Sequence, residues 1–317
     1  MKISLFYEFP LPRPWGEDDE HQLFQHGLDE VELADKAGFS TVWLTEHHFL
    51  EEYCHSTAPE MFLAAASQRT KNIRLGFGVM HLPPPINHPA RIAERVATLD
   101  HLSNGRVEFG TGEGSSVAEL GGFNIDPADK RTMWEEALEV SIRCMTEAPF
   151  TGFKGEHVEM PARNVIPKPL QSPHPPVWVA CTRPSSVGMA AEKAIGALSF
   201  AYTGPEALKD RVDGYYRDFE EKGTPITPAI NPNLLAIAIG LAGIAPPAAA
   251  PRTPRRGPPA GLDAGPAAGP EPARRPARSA PSAQGHRCPI PPPLPAPSPP
   301  GRDLLTLGAH VDGLRIV

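Results

Sequence analysis

The segment Thr41-Val42-Trp43-Leu44-Thr45-Glu46-His47-His48-Phe49 puts a carboxylate and two adjacent histidines directly after a run of β-formers. An apolar run with such an end is a buried strand delivering polar side chains to a cavity mouth. Imidazole titrates near neutral pH, so it can act as general acid, general base or hydrogen-bond donor. Taken alone, Glu-His-His could equally be a self-satisfied hydrogen-bond knot. Adjacent residues at a strand end point in opposite directions, which argues against a metal shared by His47 and His48; no metal site is expected. Two further stretches carry chemistry. Gly112-Glu113-Gly114-Ser115-Ser116 looks like a phosphate loop, but it lacks the lysine of a P-loop and the placement of a dinucleotide fingerprint. Thr182-Arg183-Pro184-Ser185-Ser186 leads into a helix whose N-terminus, hydroxyls and arginine suit an anion. The alternative there is ordinary N-capping by Ser185.

The elements that must position these groups alternate. Strands are expected over Lys2–Tyr7, Phe39–Leu44, Ile73–Met80, Val107–Gly110, Val177–Ala180, Ala197–Ala201 and Leu234–Gly240. Amphipathic helices lie between them. One presents Phe24, Leu28, Val31 and Ala34 and ends at Gly38. Another begins at His88-Pro89, presents Ile92, Val96 and Leu99, and closes at Asn104-Gly105. Further helices are expected over Pro59–Gln68, Ala128–Thr146, Ser186–Ala194 and Pro205–Lys222, and an excursion with a short hairpin over Pro149–Pro175. Strands alternating with helices imply a parallel sheet, here an α/β (β/α)8 TIM barrel. The barrel is incomplete at its C-terminal end, because no eighth strand follows Gly240. Barrel sites lie at the C-terminal ends of strands. The residues there are Glu8, Glu46-His47-His48, His81, Gly112 to Ser116, Cys181-Thr182-Arg183 and Tyr202-Thr203.

Composition divides the 317-residue chain at about residue 244. Residues 1–244 hold 21 of the 30 basic and 33 of the 37 acidic residues, a formal charge of −12. An acidic body argues against nucleic acid as a partner. Residues 245–317 carry 19 prolines, nine arginines, no lysine and no Phe, Tyr or Trp. Such a Pro/Ala/Arg-rich, low-complexity tail cannot bury a core and is expected to be disordered. Arginine without lysine amid Pro, Ala and Gly is also what a GC-rich reading frame gives out of register, so a frameshift near Leu241-Ala242-Gly243 is the preferred explanation. The four cysteines have no disulfide or zinc spacing. No signal segment or membrane span is expected, so the reading is a cytoplasmic protein.

Three blocks, TVWLTEHHF, HLPPPINHPARIAERVATLDHLSNGRVEFGTG and PPVWVACTRPSSVGMAAEKA, resemble in that order the bacterial luciferase-like flavin-dependent monooxygenases. The resemblance covers about residues 1–244. It implies a TIM barrel, reduced FMN, O2 as co-substrate, a small organic substrate, a separate flavin reductase and a homodimer. His47 corresponds to the family's catalytic histidine, with Glu46 orienting it or lining the ring. Thr182, Ser185 and Ser186 match where the family holds the flavin phosphate, with Arg183 beside them and Cys181 at the same strand end. A non-proline cis peptide is implied near Gly78-Val79. Gly112 stands where luciferase has a cysteine, and Glu113 where it has a phosphate-binding arginine, so light emission is not expected. The anion would then lean on Arg183 and the loop after the fifth strand, or the cofactor would take a different pose. The alternatives are a deazaflavin F420-dependent hydride-transfer enzyme on the same barrel, and an inactive truncated flavin-binding protein.

Overall fold

The computed structural model describes residues 2–200 and 205–237, and the backbone of two short strands near the end of the chain. The expectations for Tyr202-Thr203, for the end of the seventh strand and for most of residues 245–317 lie outside the described residues.

All seven expected strands form, as β1 (Leu5–Tyr7), β2 (Thr41–Leu44), β3 (Arg74–Phe77) with β4 (Met80–His81), β5 (Val107–Gly112), β8 (Val177–Cys181), β9 (Gly196–Phe200) and β10 (Leu234–Ile237). The third differs from expectation, since β3 stops at Phe77 and β4 resumes at Met80. Between them the peptide Gly78–Val79 is cis, as the resemblance implies. The expected hairpin is β6 (Phe153–Lys154) with β7 (Glu159–Met160). The helices are α1 (Asp19–Ala37), α2 (Pro59–Arg69), α3 (Pro89–Leu102), α4 (Val117–Gly122), α5 (Lys130–Thr146), α6 (Pro184–Glu192) and α7 (Pro205–Lys222). Gly38, in the left-handed region at φ 83°, ends α1 and sends its N–H back to the carbonyls of Ala34 and Asp35. His88 caps α3, with Pro89 at its first position.

Successive strands pair in parallel in the order β1-β2-β3-β5-β8-β9-β10. Side chains alternate across each strand. Val42, Leu44, Leu75, Val107 and Val177 face the helix layer and join the larger core there. Phe6, Trp43, Trp178, Leu198, Leu235 and Ile237 form a second, inner core. Its members come from both ends of the sheet, and the rings of Phe6 on β1 and Phe200 on β9 meet edge to face at 6.1 Å. The sheet is therefore curled into a near-barrel. Burying each large apolar side chain contributes about 1.5–3 kcal/mol. The inner core also dictates a glycine, because a Cβ on Gly76 would sit 2.4 Å from the Trp43 ring.

The seam stays unsealed among the described residues. β10 pairs only with β9, while the free edge of β1 takes an antiparallel pair, β12 (Leu314–Ile316) and β11 (Ala309–Val311). β12 on that edge runs against β1, and β11, which runs parallel to β1, pairs only with β12, so neither takes the place of the missing parallel eighth strand beside β1. No helix among the described residues is long and apolar enough to cross a membrane.

Candidate active site

The C-terminal ends of the strands surround a cavity of about 320 Å³, at the small end of ligand pockets. Phe6, Val79, Trp134, Ala180 and Phe200 supply apolar lining. The polar groups divide between two regions.

The first region follows β2. Its backbone is pinned by N–H bonds from Thr45 to Tyr7 O, from Glu46 to Val79 O and from His47 to Ser56 O. The strand's alternation then sends the two histidines apart. His47 lines the cavity, and its Nδ1 lies 3.0 Å from Glu119 Oε1. His48 turns away, packs on Phe123 and places Nε2 3.1 Å from Glu46 Oε1. Of the two expectations for Glu46, orienting His47 or lining the ring, the structure shows it at the cavity wall with its carboxylate turned to other partners than His47. Its carboxylate is buried and is taken by His48, by the His81 backbone N–H at 2.8 Å and by Asn87 Nδ2 at 2.8 Å. Asn87 is held in turn by Arg95 at 2.8 Å. Glu46 thus ties β2, β4 and the start of α3 together.

The carboxylate that does face His47 is Glu119, on a helix the sequence reading missed. It is fully buried and also accepts the His48 backbone N–H at 2.8 Å. Burial works against its charge, but the bonds from His47 and from the His48 backbone outweigh it and hold the carboxyl below its usual range. An ionised carboxylate only accepts, so the proton in the His47–Glu119 bond belongs to His47 Nδ1; in the neutral ring Nε2 is then the acceptor, and in the charged ring it is a second donor. A signal for this element was present: Ser116-Val117-Ala118-Glu119 has the spacing of a capping box, and the Ser116 hydroxyl caps α4 at the Glu119 N–H. His81 lies beside the pair, its ring 5.9 Å from that of His47. Burial pushes the His81 pKa down, against the pull of Glu46 and Glu119, and favours a neutral ring.

The second region lies across the cavity, at the ends of β5 and β8. Thr182, Arg183, Ser185 and Ser186 all line it. The residue capping α6 is Arg183 and not Ser185: Ser186 Oγ accepts the Arg183 N–H and donates to its carbonyl. Glu113 does not stand alone, because Arg131 Nε lies 2.9 Å and Lys130 Nζ 3.6 Å from its carboxylate. Both cations, from the first turn of α5, line the cavity. The sequence reading placed the positive charge for an anion on Arg183 alone; α5 supplies two more cations, offset by one carboxylate.

Of the expected site residues, Glu46, His47, Gly78, Val79, Gly112, Thr182, Arg183, Ser185 and Ser186 line this one cavity, and Glu8 and His81 join them. Gly112 fits because a Cβ there would meet Val79 at 2.5 Å. Cys181 is the exception. Strand alternation turns it to the helix layer, where its thiol donates to the Ser186 carbonyl and burial pushes its pKa up to about 12. It is an inert core thiol.

The family model of the luciferase-like monooxygenases matches residues 6–239. The chain belongs to the luciferase-like monooxygenase family. Limonene 1,2-monooxygenase from Rhodococcus erythropolis is 42% identical over 134 residues, 42% of this chain and 34% of that one. The oxygenase component of flavin-dependent trigonelline monooxygenase from Acinetobacter baylyi is 30% identical over 192 residues, 59% of this chain and 50% of that one. Among solved structures, the monooxygenase RslO1 from Streptomyces bottropensis superposes with a TM-score of 0.64 at 28% identity, over 74% of this chain and 70% of that one. The chain thus spans about a third to three-fifths of the length of the curated relatives it matches. In this luciferase-like barrel, the cavity residues come from sequence segments on both sides of α4 and α5.

Proposed function

We propose that the protein is the oxygenase component of a two-component flavin-dependent monooxygenase, using reduced FMN and O2 on a small organic substrate. The observation that carries this reading is the division of one cavity between a His47–Glu119 pair and an anion-binding end, with apolar lining available to both. The start of α6, the hydroxyls of Thr182, Ser185 and Ser186, and the cations Arg183, Arg131 and Lys130 would hold the phosphate of FMN. Phe6, Val79 and Phe200 would face its ring system and exclude water from it. The bound flavin supplies the redox chemistry with O2. His47 Nε2 would then accept or return a proton at the reacting atoms, while Glu119 fixes the ring's tautomer. Glu46 holds the surrounding loops and does not touch His47.

A separate reductase supplying reduced flavin accords with the trigonelline relative's naming as an oxygenase component and with the absence of a dinucleotide fingerprint from the sequence. The reading includes a cytoplasmic homodimer. It places catalysis in residues 1–244 and treats residues 245–317 as a low-complexity tail arising from a frameshift; resequencing the codons for Ala236 to Ala250 tests that origin, and an intact frame sinks it.

The cofactor is tested by titrating the full chain with FMN, riboflavin and F420 under anaerobic reduction, then admitting O2. Saturable binding of reduced FMN followed by O2 consumption is expected. Tighter binding of F420, with hydride transfer and no O2 uptake, would overturn the FMN assignment.

A further inference from the structure

His47, His81 and Glu119 each bring a donor atom to a space where all three lie within 4.8 Å of one another. Two of these residues also carry a buried atom with no hydrogen-bond partner, His81 Nδ1 and Glu119 Oε2. Their exposures are 3% and 0%. Buried polar atoms are nearly always satisfied, so orphans on two residues of one such cluster call for a partner. We propose that His47, His81 and Glu119 form a site for a divalent transition-metal ion of the zinc class, with an open coordination position facing the cavity.

The donor set supports that choice. Two imidazole nitrogens and one carboxylate oxygen are the mixture that zinc and its first-row neighbours bind, whereas magnesium and calcium need mostly oxygen. Glu119 is the carboxylate of the set and brings one negative charge to the ion. Bonds of about 2.0–2.2 Å place donors roughly 3–4 Å apart, so modest side-chain rotations close the site. The surroundings hold the ligands in place. The His48 backbone N–H fixes Glu119 Oε1, and Glu46 Oε2 fixes the backbone of His81. His47 and His81 line the cavity and give an ion its entry, while Glu119 closes the site from behind. The pair His47–His48 contributes one ligand only, because His48 points to Glu46.

The site itself does not depend on the flavin reading, but one consequence does. An ion bound here engages His47, so it excludes the role proposed for that ring and acts as an inhibitor.

The experiment uses the full chain after chelator treatment. Zn2+ is titrated by calorimetry, Co2+ by visible absorption, and Mg2+ serves as the comparison. One saturable equivalent of Zn2+ is expected, with ligand-field bands for Co2+ and no binding of Mg2+. His81→Gln and Glu119→Gln should each weaken Zn2+ by more than about tenfold, while His48→Gln should leave it unchanged. His47→Gln, at the cavity rim, gives the same readout with less risk to folding. No saturable Zn2+ binding, or unchanged affinity in both His47→Gln and His81→Gln, would overturn the proposal. FMN titrated in parallel separates the two readings, because Zn2+ binding without FMN binding leaves this site standing and sinks the flavin assignment.

Discussion

Replacing Glu119 by glutamine keeps the shape of the side chain and removes its charge. In the wild type, Oε1 accepts from His47 Nδ1 at 3.0 Å and from the His48 N–H at 2.8 Å. A glutamine carbonyl can still take both bonds, but as neutral ones. The difference between a charge-assisted and a neutral bond is about 1 kcal/mol, or about 2 kcal/mol for the pair. The amide NH2 would occupy the place of Oε2, which is buried and has no partner, at a cost of about 1–3 kcal/mol. Against this, removing a buried charge returns part of the desolvation that opposes ionisation of Glu119. The net destabilisation is about 2–3 kcal/mol. For a domain of this size each kcal/mol moves Tm by about 2–4 °C, so the expected fall is roughly 5–10 °C. Differential scanning calorimetry measures it. Nitrogen-15 NMR of the imidazoles supplies the second readout, with His47 protonated at Nδ1 in the wild type and mixed between tautomers in Glu119→Gln. Flavin affinity should change by less than about threefold, since Glu119 lies behind the cavity wall. A Tm within about 1 °C of wild type, together with an unchanged His47 tautomer, would refute the pairing as the device that orients the ring.

Two further outcomes follow from the same geometry. Arg131→Gln removes one of the cations beside Glu113 and should weaken FMN by about tenfold while leaving riboflavin unaffected, because a charge-assisted contact to phosphate is worth roughly 1.5 kcal/mol; equal losses for both ligands would place Arg131 away from the phosphate. Stability should fall on acidification. The folded-state pKa of His81 is depressed, so the unfolded chain binds its proton first. Its contribution is complete above about pH 6.5 and is lost as pH falls toward the folded value. Glu119 is depressed as well, and its share disappears only at lower pH. Melting at pH 7.5 and 5.5 should show a larger drop for the wild type than for His81→Gln, and equal drops would show that His81 is not the titrating group.

The barrel was legible in the sequence because its signals are local. Period-2 and period-3.6 patterns gave the seven parallel strands from β1 to β10 and, among the described residues, six of the seven helices, and strand ends pointed to the rim that holds the cavity. The site was legible only in part. Its strand-borne residues follow from position, yet the partner of His47 lies 72 residues away. It sits on a six-residue helix too short to show an apolar face, so only its cap spelled it out. Glu46 drew attention as the neighbour of His47, but neighbouring strand residues face opposite ways, and the carboxylate adjacent in sequence serves the other histidine. The same alternation, applied to Val177–Cys181, would have turned Cys181 to the helices beforehand. The partners of Glu113 were hidden for a different reason: a carboxylate in a string says nothing about the arginine that folds back onto it from the next helix.

The hydrogen bonds to Glu119 also join two loops into one mechanical part. The segment after β2 and the helix after β5 are fastened through a single buried oxygen atom, so neither can swing without the other. Any breathing of the mouth that displaced α4 would carry the His47 ring with it and break the alignment of its proton. A substitution that loosens α4 is therefore expected to misplace the His47 ring as well.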